Sequence, residues 1–296
     1  MNKLPITAAI VKERHTPFSM ADELQRNCAA AAIAGFIQPA IFNPLDALRV
    51  RWQVAASSGS GKSSIIGFAS EIIQREGFVC GLYLPGQPWN CIAVALSQGL
   101  RLGLYPTVRD ALMSGESVRP DLMAFAGFLS GSLAYFVSAP LWLLKTRAQA
   151  APQLGTSLRA PPLPATLGQY WTGCTPLVLR GALITAGWTS GYDASKRVLK
   201  QQRLKDGPVL QGLAGLMAGL TAATLSAPSD VLQTRMQSGK QQLGVLGSVQ
   251  AIWTTEGAAG FFRGWSVSVA RLVPTVILGS LIYENARQFL GLKYLR

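Results

Sequence analysis

The chain has little histidine, cysteine or charge, and each shortage excludes a class of function. One histidine, His15, and four cysteines without a CxxC pair disfavour a zinc site, and no catalytic or metal residues are predicted. Only 14% of the 296 residues are charged, against about 25% in a typical soluble protein. The 27 Lys and Arg outnumber the 14 Asp and Glu, for a net charge of +13. Scattered positive charge on an apolar chain favours a membrane protein over a nucleic-acid-binding one.

Six long apolar stretches follow a polar N-terminal arm that lacks the apolar core of a signal peptide. Each is long enough to cross a bilayer at roughly 20 residues per span. Nearly all contain proline, charge or amides, which is typical of helices packed around a wet interior. The stretches lie near residues 24–50, 87–112, 122–147, 174–196, 208–233 and 265–287.

An internal repeat organises these stretches. The pattern P-x-x-x-x-x-x-R-x-Q begins at Pro44, Pro140 and Pro228, with spacings of 96 and 88 residues. In register with it, a glycine at 86, 173 or 264 precedes a tyrosine by 19 residues each time. We therefore predict three repeats of two helices each. We place an arm at residues 1–21 and repeats at 22–112, 113–200 and 201–296.

These motifs resemble the mitochondrial carrier family, in which P-x-[DE]-x-x-[KR] ends each odd-numbered helix and [FY]-[DE]-x-x-[RK] ends each even-numbered one. The resemblance covers residues 22–292. It implies an all-α membrane protein, a six-helix barrel with threefold pseudosymmetry and short matrix helices near 63–75 and 245–256. It also implies a multi-pass monomer of the mitochondrial inner membrane that transports a small anion. The implied partners are substrate and lipid bilayer, with no nucleic acid and no cofactor beyond a structural cardiolipin.

The resemblance implies a matrix gate of ion pairs between neighbouring odd helices. Asp46 would pair with Lys145, and Asp230 with Arg49. The glutamines expected to brace such pairs are Gln53, Gln149 and Gln237.

The third pair of this gate is missing. Trp142 stands where the acid is expected and Gln233 where the base is expected. A lone charge facing a neutral partner at membrane depth would be costly, so the joint replacement fits the pairing scheme. We expect the two side chains to stack and hydrogen-bond to each other.

A second gate on the cytoplasmic side is implied at the ends of the even helices. Asp193 would pair with Arg287 and Glu284 with Arg109, while Lys196 would lack a partner because a proline holds the acidic position of repeat one. Each gate then keeps two ion pairs, and neither is expected to be strongly locked.

Repeat two departs from the family pattern because it lacks the Glu-Gly that ends the matrix helix in the other repeats. Its matrix helix is expected to be short or distorted. Cardiolipin-type sites are implied near Gly86, Gly173 and Gly264, but Pro85 and Thr172 replace the usual base beside two of these glycines.

Three arginines lie within the even helices, and their own helices offer no acid between residues 86 and 108, 174 and 191, or 265 and 283. We therefore expect about three unpaired positive charges in the cavity, well away from the gates. Arginine binds carboxylate or phosphate through a rigid fork, so a small dianion is the expected substrate. By resemblance to the dicarboxylate, oxoglutarate and oxaloacetate carriers, the expected contacts are Arg101, Arg180, Arg271, Gln98, Ala93 and Val94.

Other functions stay open. Another anion, such as sulfate, phosphate, a nucleotide or a cofactor, is possible within the family. So is a non-exchanging proton-leak or scaffold protein, which the loss of one ion pair from each gate favours and the intact contact arginines disfavour. Gly61-Lys62-Ser63 suggests a nucleotide-binding enzyme, but a phosphate loop needs glycine at position 56, where the chain has Ala56.

Overall fold

Eight α-helices and no strand occur in the residues that the computed structural model describes, which are 20–56, 64–112, 120–154, 163–201, 208–239 and 244–290. The predicted arm at 1–21 lies almost wholly outside them. The predicted all-α architecture is confirmed. The helices are α1 Met20–Ala56, α2 Ile65–Glu76, α3 Gln87–Leu112, α4 Pro120–Ala150, α5 Cys174–Gln201, α6 Pro208–Gln237, α7 Val245–Glu256 and α8 Trp265–Phe289.

Two kinds of long helix alternate along the chain. The proline helices α1, α4 and α6 contain Pro44, Pro140 and Pro228. The arginine helices α3, α5 and α8 carry the three arginines predicted from the sequence. Helix α3 packs on α1 and α4, α5 packs on α6, and α8 packs on α1. A proline removes a backbone donor and bends its helix, so bends at one depth draw three helix ends together.

Glycines allow the arginine helices to approach the proline helices closely. A Cβ added to Gly35 of α1 would lie 3.0 Å from the Val94 carbonyl oxygen of α3. A Cβ added to Gly187 of α5 would lie 2.7 Å from Ala222 Cα of α6. Small residues permit such backbone contacts between membrane helices.

Two of the six long helices are apolar enough, by composition alone, to be recognised as membrane spans in the described part of the chain. These segments are Leu24–Ala55 and Phe125–Gln153, each with mean hydropathy 1.4. Both belong to proline helices. Within the described residues, the third proline helix, α6, and the three arginine helices do not reach this level.

The predicted matrix helices of repeats one and three are α2 and α7. Each ends in a glutamate that an arginine of the preceding proline helix binds. Arg51 donates to both carboxylate oxygens of Glu76, at 2.7 and 2.5 Å, and Arg235 donates to Glu256 at 2.5 Å. Repeat two has a 3-10 turn, Leu167–Trp171, in its described linker. Repeat two lacks the glutamate that ends the matrix helix in the other repeats, and a 3-10 turn in its linker agrees with the expected distortion.

Gly86, directly before α3, lies against the end of α4 in a conformation that favours glycine. Its φ is +66°, and an added Cβ would lie 2.8 Å from both the Lys145 carbonyl oxygen and Gln149 Cγ. Gly173 and Gly264 lie in the same way against Gln237 and Gln53. Each arginine helix therefore begins in contact with a glutamine of a neighbouring repeat.

We expect Gly86→Ala to lower the melting temperature by about 6 °C, because left-handed strain and overpacking together cost about 2 kcal/mol. The matched control is Gly77→Ala. Gly77 has a similar φ of +79° but nothing within 4 Å of an added Cβ, so only the strain applies. Equal losses in the two variants would show that the contact with α4 contributes nothing. Thermal unfolding of the purified protein measures both.

Candidate functional site

Asp230 of α6 is the tightest centre of charge where the proline helices meet. It accepts from Arg49 of α1 at 2.5 Å and lies 2.8 Å from the Nε atom of Arg180. Gln53 also donates to it at 3.2 Å. The carboxylate is only 5% exposed, so these contacts replace its water. Asp230 thus joins three helices, α1, α5 and α6.

Asp46 of α1 is surrounded by cations at longer distances. Lys145 of α4 lies 3.7 Å away, Arg271 of α8 lies 3.5 Å away and Arg49 lies 3.6 Å away. Asn90 of α3 donates to it at 3.2 Å. Arg271 Nε and Asp46 Oδ1 are the two atoms of the 3.5 Å contact, and neither has a closer hydrogen-bond partner among the described residues. This second centre is therefore looser than the first.

The expected isolation of the cavity arginines is wrong for Arg180 and Arg271. Both contact carboxylates of the matrix gate, because the acids come from proline helices rather than from their own helices. Four cations then face two carboxylates within the described residues of this cluster. We call it the gate cluster, and it consists of Asp46, Arg49, Lys145, Arg180, Asp230 and Arg271.

Trp142 stabilises two of these cations through its ring. Lys145 Nζ lies 5.2 Å and Arg180 Cζ lies 5.7 Å from its ring centre, within the range of cation–π attraction. The expected hydrogen bond to Gln233 is absent, because the indole N–H has no partner in the described structure and Gln233 donates to Gln237 at 3.0 Å. The aromatic face, and not a polar link to Gln233, stands where the third acid would be.

The three glutamines have different partners. Only Gln53 contacts an acid of the gate cluster. Gln149 donates to Asn43 at 3.0 Å, and Gln237 lies 3.0 Å from the Thr146 hydroxyl. Thus two of the expected braces link neutral groups of neighbouring helices.

Sequence reasoning missed two buried asparagines of repeat one. Asn43 donates to the carbonyls of Tyr83 and Pro85 at 2.6 and 3.1 Å, and Asn90 donates to Asn43 at 2.9 Å. The sequence does carry a signal for Asn43, since the residue before the repeated proline is alanine in the other two repeats. These amides tie the start of α3 to α1 beside Asp46.

We expect Trp142→Asp combined with Gln233→Lys to slow turnover roughly fivefold, because a third ion pair would stabilise the closed gate by about 1 kcal/mol. The single variants Trp142→Asp and Gln233→Lys provide the matched controls in a double-mutant cycle. The measurement is transport turnover in liposomes. An unchanged rate in the double variant would contradict the interpretation that the gate is only weakly locked.

Two adjoining cavities reach the gate cluster. Both are lined by Arg49, Arg180 and Arg271. The first lies beside Asp230 and extends between α5, α6 and α8 to Trp265. The second is bordered by Asp46, Gln38, Pro39, Phe42, Val94, Trp142 and Lys145. Cavities lined by so many cations suit a small anion.

The other predicted contacts lie in different places. Val94 lines the second cavity, whereas Ala93 is fully buried among apolar side chains that include Trp142. Arg101 donates to Gln98 at 3.0 Å and lines a separate cavity between α3, α4 and α5. The structure thus brings Arg180 and Arg271 together but keeps Arg101 apart, because Arg101 follows the glycine before its helix by 15 residues and the other two follow theirs by 7.

The predicted cytoplasmic gate is only partly described. The side chains of Asp193, Glu284 and Arg287 lie outside the described part of the structure. Arg109 binds its neighbour Asp110 at 2.7 Å, and Lys196 lies 5.8 Å from the ring centre of Tyr192. The expected pairs of this gate stay predictions.

Comparison with known proteins identifies the family of the fold. A family model described as "Mitochondrial carrier protein" matches residues 21–116, 122–203 and 205–294. The mitochondrial brown fat uncoupling protein 1 of Phodopus sungorus is 30% identical over 283 residues, covering 88% of this chain and 90% of the relative. That of Oryctolagus cuniculus is 31% identical over 279 residues, with 87% and 90% covered. That of Bos taurus is 28% identical over 302 residues, with 93% and 95% covered.

Proposed function

Because the chain belongs to the mitochondrial carrier family, whose members are multi-pass proteins of the inner mitochondrial membrane, we propose that it moves a small dianion by alternating access. The proposed substrate class is a dicarboxylate of the oxaloacetate type. The protein acts as a monomer and as a transporter rather than an enzyme.

The observation that carries the proposal is the excess of cations in the gate cluster. Arg49, Arg180 and Lys145 are at most 8% exposed, and they share two carboxylates with Arg271. Buried charge without a partner is expensive, so the cluster favours an incoming anion. Two negative charges on the substrate would balance the excess positive charge of the gate cluster.

Substrate binding would compete with the gate carboxylates. The contact of Arg271 with Asp46, at 3.5 Å, is longer than that of Arg180 with Asp230, so the guanidinium of Arg271 is the first available to an anion. Arg180 is engaged with Asp230 at 2.8 Å and would exchange partners second. An anion held by both arginines releases two contacts of the closed gate, which couples binding to opening.

The experiment is uptake of labelled malate or oxaloacetate by liposomes that contain the purified protein. One set is preloaded with the same acid and a second set is empty. Uptake that requires internal acid supports dianion exchange. Absence of uptake of any small dicarboxylate by folded protein would contradict the proposed substrate class.

A second candidate function is uncoupling, and the names of the relatives favour it. The similarity to uncoupling protein 1 extends over most of both chains. The same liposomes, loaded with a pH-sensitive dye and given a membrane potential, distinguish the two functions. Proton entry without added dicarboxylate supports uncoupling, whereas proton-tight liposomes that exchange acid support the carrier function.

A structural cardiolipin is a further part of the proposal. The first amides of α8 follow Gly264 and receive no side-chain cap, and Arg263 lies beside them. Arg263 stacks 4.5 Å from the ring centre of Trp52, and its guanidinium also lies 3.8 Å from the Glu256 carboxylate. Helix amides and a guanidinium fit a lipid phosphate. The starts of α3 and α5 have Pro85 and Thr172 in place of this base.

A further inference from the structure

Pro140 leaves one carbonyl of α4 without its usual helical donor. Pro140 has no N–H, so the carbonyl of Phe136, four residues earlier, receives no bond from it. The Phe136 side chain is half-exposed on the outer surface of the bundle. Lipid offers no hydrogen bond, and an unsatisfied carbonyl there is costly.

An indole from the next segment of the same repeat meets this carbonyl. Trp171 Nε1 donates to the Phe136 oxygen at 3.0 Å. Its ring lies 5.9 Å from the Phe136 ring, and it also packs against the buried cluster that contains Trp142. Trp171 ends the 3-10 turn that leads into α5. It therefore ties the bend of α4 to the beginning of the following helix.

The helical turn before the repeated proline has different contacts in the other two repeats. In repeat three, Trp265 donates at 3.1 Å to the hydroxyl of Thr224, which lies four residues before Pro228. In repeat one, Leu84 precedes Gly86 by two residues, as Trp171 precedes Gly173, and the leucine side chain has no donor. Only the repeat-two indole, within the described contacts, substitutes directly for the donor that a proline removed.

We propose that Trp171 is a positioning residue that holds the Pro140 bend of α4 in the closed matrix gate. Its indole N–H replaces the backbone donor that proline lacks. Any movement that separates α4 from the start of α5 would break the hydrogen bond that Trp171 donates to the Phe136 carbonyl. Trp171 therefore favours the conformation in which α4 brings Trp142 and Lys145 to the gate cluster. The gating role, unlike the bond itself, rests on the proposed transport function.

A double-mutant cycle tests the bond without any transport. Trp171→Phe keeps a ring but removes the N–H, and we expect it to lower the melting temperature by about 3 °C. In a Pro140→Ala background, the residue 140 amide can bond the Phe136 carbonyl. There the same change should cost less than about 1 °C. Trp265→Phe is the matched control, and its effect should be equal in both backgrounds. Equal losses for Trp171→Phe in both backgrounds would overturn the proposal.

If Pro140→Ala does not fold, an isosteric analogue replaces the cycle. Benzothienylalanine at position 171 has sulfur in place of the indole N–H and leaves Pro140 unchanged. A melting temperature lowered as in Trp171→Phe supports the proposal, and a wild-type melting temperature overturns it.

Transport kinetics separate gating from simple destabilisation. If Trp171 favours the closed matrix gate, Trp171→Phe should raise the external KM and lower the internal KM, each about threefold, because it shifts the population toward the matrix-open form. A folding defect would lower Vmax alone and would overturn the gating role. Absence of uptake by wild-type protein would contradict the proposed function. The double-mutant cycle, measured by thermal unfolding, would still test the hydrogen bond between Trp171 and the Phe136 carbonyl.

Discussion

Arg180→Ala is expected to reduce dicarboxylate uptake roughly 100-fold, equivalent to about 2.7 kcal/mol, because it removes a charged fork from the anion site. Arg180 lies in both cavities beside the gate cluster and is only 8% exposed. Asp230 keeps its 2.5 Å contact with Arg49, so the fold should survive the substitution. Initial uptake rates at equal amounts of reconstituted protein measure the effect.

Two controls sharpen this test. Arg180→Lys keeps the charge without the two-pronged geometry and should retain about a tenth of the rate. Arg197→Ala removes an exposed arginine from the same helix and should transport normally. Uptake by Arg180→Ala within threefold of wild type would exclude Arg180 as a substrate contact.

Asp230→Asn is expected to lower the melting temperature by roughly 10 °C. The change keeps the size of the side chain but leaves Arg49 and Arg180, at 5% and 8% exposure, facing a neutral group. Removal of one member of a buried ion pair costs about 3 to 5 kcal/mol, since the remaining charges stay desolvated. Thermal unfolding of the purified protein in lipid and detergent provides the measurement.

The matched control for Asp230→Asn is Glu71→Gln in α2. Glu71 pairs with Arg75 at 3.1 Å, but the arginine side chain is 76% exposed, so a shift below about 2 °C is expected. Added malate should restore part of the stability of Asp230→Asn, because it supplies the missing negative charge. A loss as small as that of Glu71→Gln would show that Asp230 does not hold the gate cluster together.

Much of the site could be read from repeated motifs, because motif position fixes depth along a helix. Asp46 and Lys145, and Asp230 and Arg49, were predicted as pairs, and the structure places both pairs in contact. The transport role of these residues stays a prediction. Asn43 occurs in one repeat alone, so comparison of the repeats marks it as a departure but does not show that it binds backbone carbonyls.

Trp142 illustrates the limit of such motif reading. The sequence shows that an acid is missing and that its partner base is missing too, and this favours a neutral link to Gln233. The structure instead directs the ring toward Lys145 and Arg180. Which neighbour a side chain meets depends on helix rotation and packing, and these are not encoded in motif spacing.

The sequence by itself determined the threefold repeat, the six long helices and the depth of each signature residue, since these follow from local periodicity and spacing. Only the tertiary structure decided which charges are paired. Arg180 and Arg271 find their acids 50 and 225 residues away along the chain, on other helices. Likewise, the carbonyl freed by Pro140 meets an indole from the following linker. Long-range contacts arise when bent helices converge, and no local pattern specifies them.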